Sequence, residues 1–130
     1  MKKQPYRVVL QVMSRPLTHP NIEDTTVAGI LHALADPVRL TIVRELLRAE
    51  ASLNCTQMTD RLEVEMAKST CSQHYRILRE SGLIFSERKG VELTSRVRVH
   101  ELETRFPGLL STILKAYEQE TRATQRREGG

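Results

Sequence analysis

Apolar residues recur along this chain with two periods, and the change from one to the other divides it. After Asn21 the period is helical: Val27, Ile30, Leu31 and Leu34 fall at i, i+3, i+4 and i+7 and form one stripe. Glu23 and Asp24 precede it, where the helix dipole favours acids. Asp36-Pro37 restarts the pattern, an N-cap followed by a residue whose fixed φ suits the first helical position. Leu40, Val43, Leu46 and Leu47 then carry a second amphipathic helix to about Ala49. Met58 and Leu62 predict a third, shorter helix over residues 56–63. A fourth opens at Lys68 or Ser69, turns Cys71, Tyr75 and Leu78 inward, and is stopped by Gly82.

Past Gly82 the period becomes two. Residues 83–88, the pair Lys89-Gly90 and residues 91–99 read as a β-hairpin whose arms carry Arg88, Lys89, Arg96 and Arg98. A short helical turn over residues 100–105 leads to a last helix from near Pro107, striped by Leu110, Ile113, Leu114 and Tyr117. The expected fold is mainly α with a small β-hairpin: a winged helix-turn-helix of about five helices plus a two-stranded wing. The domain should span residues 21–122. Residues 1–20, broken by Pro5, Pro16 and Pro20, read as a basic arm that is flexible or ordered only against a partner; residues 123–130 read as a disordered polar tail.

Composition agrees with one soluble domain. The chain has 130 residues, 39% hydrophobic and 28% charged, enough for a single core without disulfides or metal. No apolar run approaches a membrane span, and the amino terminus lacks the apolar core of a signal peptide. Two cysteines and no export signal predict a cytoplasmic protein with reduced thiols.

The distribution of charge is more informative than the net +4. Residues 1–22 carry four bases and no acid, residues 23–67 four bases and eight acids, residues 68–98 seven bases and three acids, and residues 99–130 five of each. The basic block therefore coincides with the fourth helix and the hairpin, the footprint expected for an anionic polymer. A charge run by itself is more often a solvated face; here it sits where a recognition helix and wing should be. The outward face of the fourth helix shows Lys68, Ser69, Thr70, Ser72, Gln73 and Arg76. Short hydroxyls admit close backbone approach to phosphate, Gln73 can pair with an adenine edge, and Arg76 or Lys68 can reach phosphate or guanine. Aromatic residues make up only 4%, which disfavours stacking on single strands and points to duplex DNA.

The stretch Leu31-His32-Ala33-Leu34-Ala35-Asp36-Pro37-Val38-Arg39-Leu40 resembles the opening signature of the ArsR (arsenic-repressor) family of bacterial winged-helix regulators. Residues 68–84, Lys-Ser-Thr-Cys-Ser-Gln-His-Tyr-Arg-Ile-Leu-Arg-Glu-Ser-Gly-Leu-Ile, resemble its recognition helix and the approach to its wing. The resemblance covers roughly residues 25–118. It implies a homodimer built on the first and last helices, a palindromic operator, and repression relieved by an effector. It places DNA recognition on Lys68, Ser69, Ser72 and Gln73 and the wing tip on Arg88, Lys89 and Gly90; phosphate contacts are expected from Arg76, Arg88, Lys89 and Arg96.

The effector is where the chain departs from the family pattern. Metal-sensing members pair two cysteines as Cys-x-Cys on the helix that opens here near Asn54, whereas Asn54-Cys55-Thr56-Gln57 holds one. The last helix contains no histidine, and His19, His32, His74 and His100 lack ligand spacing, so neither a metal nor another cofactor is expected. Cys55 and Cys71 have two readings: small hydrophobes in the core, or a thiol switch within the helix-turn-helix. His74 is open between a phosphate contact and a structural bridge. There is no phosphate loop, nucleophile elbow or metalloprotease pair, so no enzyme is expected. The rival from another class is a winged helix that docks to a protein partner, against which the basic block argues.

Overall fold

The computed structural model describes residues 17–129. Leu17–Pro20 run extended into a 3-10 turn at Ile22–Asp24, followed by α1 (Val27–Leu34), α2 (Pro37–Ala49), α3 (Cys55–Leu62) and α4 (Lys68–Glu80). The antiparallel hairpin β1 (Ile84–Lys89) and β2 (Glu92–Val97) comes next, then α5 (Val99–Arg105) and α6 (Leu109–Gly129). The described residues form a winged helix-turn-helix with six helices; the short turn expected over residues 100–105 is a full helix, α5.

Local chemistry sets the boundaries. Thr26 caps α1 by accepting from Gly29 N at 3.0 Å. Asp36 caps α2 by accepting from Val38 N at 2.8 Å and Arg39 N at 3.1 Å, with Pro37 opening the helix. Asn54 and Gln57 form a capping box on α3, which therefore begins one residue before its predicted start. The apolar stripes meet in one core of Ile30, Leu34, Ile42, Val43, Met58, Tyr75, Leu78, Leu83 and Ile84, all nearly or fully buried.

Polar contacts tie the helices together around that core. The Glu45 carboxylate, one-tenth exposed, accepts from Arg44 Nε and Arg48 Nη1 at 3.1 Å, and Arg61 Nε of α3 lies 3.4 Å from it. Arg48 also reaches Glu118 of α6 at 2.7 Å, and Thr41 shares a 2.7 Å hydrogen bond with Tyr117.

Two features differ from the expectation. Residues 123–129 are not a disordered tail but the end of α6. Polarity alone does not break a helix, and Gln, Arg, Glu and Ala are good helix formers. The proposed arm also ends earlier: residues 17–20 lie on the hairpin, while residues 1–16 fall outside the described residues.

Candidate nucleic-acid interface

Three elements are locked together where the fourth helix meets the wing. Leu53, just before α3, pairs with Ser95 of β2 through two backbone hydrogen bonds of 3.0 Å. Tyr75 of α4, fully buried, donates its hydroxyl proton to the Leu53 carbonyl at 3.1 Å. The Asn54 amide donates to Glu92 at 2.8 Å. Ser86 and Ser95 face each other across the hairpin as a non-hydrogen-bonded pair, and their hydroxyls meet at 2.7 Å. The angle between α4 and the wing is thus set by these hydrogen bonds, each worth ~1 kcal/mol net; the buried ones, at Tyr75 and at Ser86 and Ser95, are costly to leave unmade.

The polar face of α4 opens onto a cavity of about 600 Å³ between that helix and the hairpin. Lys68, Ser69, Ser72, Gln73 and Arg76 line it from α4, and Arg88 from β1. Arg79 joins them, although the sequence reading passed over it. Its signal was available, since Ser69, Ser72, Gln73, Arg76 and Arg79 continue one stripe at helical spacing. Four cations line the cavity against one carboxylate, Glu92, which is already engaged with Asn54. Helix α4 also lacks a side-chain cap at Ala67, so its first-turn N–H groups have no acceptor like those that Asp36 and Asn54 supply to earlier helices.

The remaining expected contacts divide. Thr70 is exposed on α4 and Lys89 at the wing tip, both outside the cavity. Arg96 is not part of the cluster. Strand pairing aligns Arg96 with Phe85 and Arg88 with Leu93, so alternation puts Arg96 on the opposite face of the hairpin from Arg88. There its guanidinium lies 4.8 Å from the Phe85 ring centroid. His74 Nδ1 sits 3.4 Å from Arg39 Nη1, and Arg39 also donates to the Ala33 carbonyl at 2.6 Å. This places His74 in a contact between α4 and the start of α2.

The two cysteines meet inside the motif. Cys71 is fully buried on α4; Cys55, at the first position of α3, is buried but borders the cavity. The neighbouring Cys71 thiol brings the Cys55 thiol down to about 7 against the opposing effect of burial. Ser72, 3.9 Å from that sulfur, and the Lys68 charge act in the same direction. Cys71 is pushed far up by the same contact and by burial. Cys55 is therefore the more readily ionised of the two, and Cys71 the one held as thiol.

A helix-turn-helix domain model matches residues 34–85, which include α2 to α4 and the start of the wing. YceK of Bacillus subtilis, an uncharacterised HTH-type transcriptional regulator, is 30% identical over 97 residues, covering 75% of this chain and 95% of that protein. The homodimeric winged helix-turn-helix DNA-binding domain of Mb0332 from Mycobacterium bovis, a possible ArsR-family regulator, superposes with TM-score 0.55. That likeness covers 88% of this chain and 90% of that one at 19% identity, and concerns the fold alone. The chain belongs to the HTH-type transcriptional regulators. The HTH-type repressor SmtB of Mycobacterium tuberculosis is a further relative of this regulator. It is 36% identical over 73 residues, 56% of this chain and 51% of SmtB. The chain is accordingly a DNA-binding regulator of transcription. No helix among its described residues is long and apolar enough to cross a membrane.

Proposed function

We propose that this regulator is a dimeric repressor of the ArsR type that reads a palindromic operator with the α4 face and grips phosphate with the cations around it. The observation that carries this reading is the shared cavity: Ser69, Ser72 and Gln73 open onto the same space as Lys68, Arg76, Arg79 and Arg88. Gln73 supplies base recognition, the arginines the salt-dependent part of affinity. Dimerisation through α1 and α6 is supported by Val27 and Leu31, which stand 42% and 48% exposed on α1, and by the half-buried apolar stripe of α6. The domain proper would then span α1 to α6, with the first residues as an appendage.

Fluorescence anisotropy tests the proposal, using duplex DNA from just upstream of the protein's own gene against a scrambled duplex at two salt concentrations. Gln73→Ala should cost about 1–3 kcal/mol on the native fragment and little on scrambled DNA, whereas Lys89→Ala should weaken both alike. Equal losses for Gln73→Ala on both duplexes would remove Gln73 from base recognition.

A second reading, favoured by Cys55 and Cys71 being buried on consecutive helices of the motif with each shifting the other's titration, concerns release from DNA. A hydroperoxide oxidises the Cys55 thiolate: an S–O bond forms, the O–O bond breaks, and the departing oxygen takes a proton to leave as alcohol or water. The Cys71 thiol then attacks the sulfenic sulfur; an S–S bond forms, the S–O bond breaks and water leaves with the Cys71 proton. The bridge joins α3 to α4 and so shifts the α4 face. Peroxide treatment should remove two hydrogens from the intact mass and weaken operator binding about tenfold, ~1.4 kcal/mol. Both effects should be absent in Cys55→Ser. Oxidation that leaves binding unchanged would return the pair to a packing role.

A further inference from the structure

A second cavity, of about 440 Å³, borders the hairpin face that carries Phe85 and Arg96, opposite the face that carries Arg88. Three segments distant in sequence enclose it: residues 19–21, the hairpin itself, and residues 98–101, where α5 begins. Small-molecule sites commonly measure ~300–1,000 Å³, so this one has room for a ligand of one ring.

The walls are fixed by contacts of their own. His19 Nε2 accepts the Ser86 N–H at 2.9 Å, and its ring stacks on Phe85 at 4.5 Å between centroids. Arg98 donates from Nη1 to the Pro20 carbonyl at 2.9 Å and pairs through Nε with Glu101. A cavity held in this way is preorganised, which lowers the cost of ordering it around a ligand.

Its polar groups are unbalanced in one direction. Arg98 is only 8% exposed, and its Nη2 has no hydrogen-bond partner among the described residues. A donor so deeply placed requires an acceptor. The Arg96 guanidinium lies 4.8 Å from the Phe85 ring centroid and forms no ion pair among the described residues. Glu101 is the one carboxylate among the described residues lining the cavity, and it is committed to Arg98. Burial, with Arg79, Arg98 and Arg96 as like charges nearby, holds His19 below the usual histidine range, so the field here belongs to the guanidiniums. Beside them Pro20, Phe85 and Val99, the last 49% exposed, supply an apolar wall.

We infer that this cavity is a binding site for a small aromatic carboxylate, held at its anionic end by Arg96 and Arg98 Nη2 and along its ring by Pro20, Phe85 and Val99. Guanidinium N–H groups match the two oxygens of a carboxylate, whereas an inorganic anion would leave the apolar wall unused. This cavity is separate from the one at α4, and a ligand here does not require DNA there.

Benzoate is the probe, with acetate, inorganic phosphate and benzylamine as comparisons at constant ionic strength and neutral pH. Amide shifts of the ¹⁵N-labelled full chain are followed by NMR through each titration. Benzoate should saturate one set of shifts at residues 19–21, 85, 96 and 98–101, and bind at least about tenfold more tightly than the other three. Arg96→Gln should weaken benzoate about tenfold. Arg88→Gln, an equal loss of charge on the opposite hairpin face, should change it by less than about twofold. Val99→Asp sets a carboxylate at the exposed wall and should abolish benzoate binding, while unchanged shifts in α2 and α3 report an intact fold. Equal affinity for benzoate and acetate or phosphate would reduce the cavity to a patch of positive charge and overturn the inference. Equal losses in Arg96→Gln and Arg88→Gln would overturn it, as would shifts that gather elsewhere or never saturate.

Discussion

Gly82→Ala is expected to cost about 3 kcal/mol of stability, and Gly90→Ala only about 1 kcal/mol. Both glycines have left-handed backbones, with φ of +88° and +65°. A Cβ at Gly90 would meet nothing within 4 Å, so the backbone penalty stands alone there. At Gly82 it would lie 2.2 Å from Cγ2 of Thr25, a residue only 3% exposed, and overpacking adds to the backbone penalty. Urea unfolding should show a lower midpoint with unchanged slope. Thr25→Ser removes the obstructing methyl while keeping the hydroxyl that donates to the Ile22 carbonyl. The double variant should therefore recover about 1 kcal/mol relative to additivity. Equal losses at the two glycines, or a strictly additive double variant, would show that close approach is not the cause.

Arg76→Glu combined with Arg88→Glu is expected to lower duplex affinity by about 10²–10⁴-fold, roughly 3–5 kcal/mol, with the salt slope shallower by about 2. Both side chains are exposed, so stability should change by no more than about 0.5 kcal/mol. Arg96→Glu is the informative comparison. It alters the same net charge per substitution but sits on the other face of the hairpin, against Phe85. Its loss should be less than about tenfold, ~1.4 kcal/mol. If Arg96→Glu alone matched the double variant, the overall basic field, and not the cavity, would govern binding.

Most of this architecture is legible in the sequence because the signals agree across levels. Asp36-Pro37, the Cys71/Tyr75/Leu78 stripe and Gly82 each mark an element by a mechanism, and the structure uses each in that role. The α4 face is legible because a helix with one apolar stripe must present its other residues outward. Arg96 is less so, since the direction of a strand side chain depends on register, and a one-residue change inverts the faces. The segment at residues 17–20 that lies on the hairpin is the hardest part to read. Residues 17–20 have no periodicity, and their position depends on His19 meeting Ser86 and on the absent Cβ of Gly82, both long-range facts. The helical end of α6 is missed for the opposite reason, because solvation hides a segment whose intrinsic propensity is good.

The pairing that sets Ser86 opposite Ser95 also decides how the hairpin behaves among other molecules. In a non-hydrogen-bonded pair, the backbone groups of both residues point away from each other, toward the two outer edges of the sheet. Leu53 occupies one edge at Ser95, and the His19 ring occupies the other at Ser86. A two-stranded ribbon ordinarily exposes two templates for strand addition. Here each is interrupted at the middle of its strand by a group from elsewhere in the chain, so neighbouring copies find no continuous edge on which to propagate a sheet.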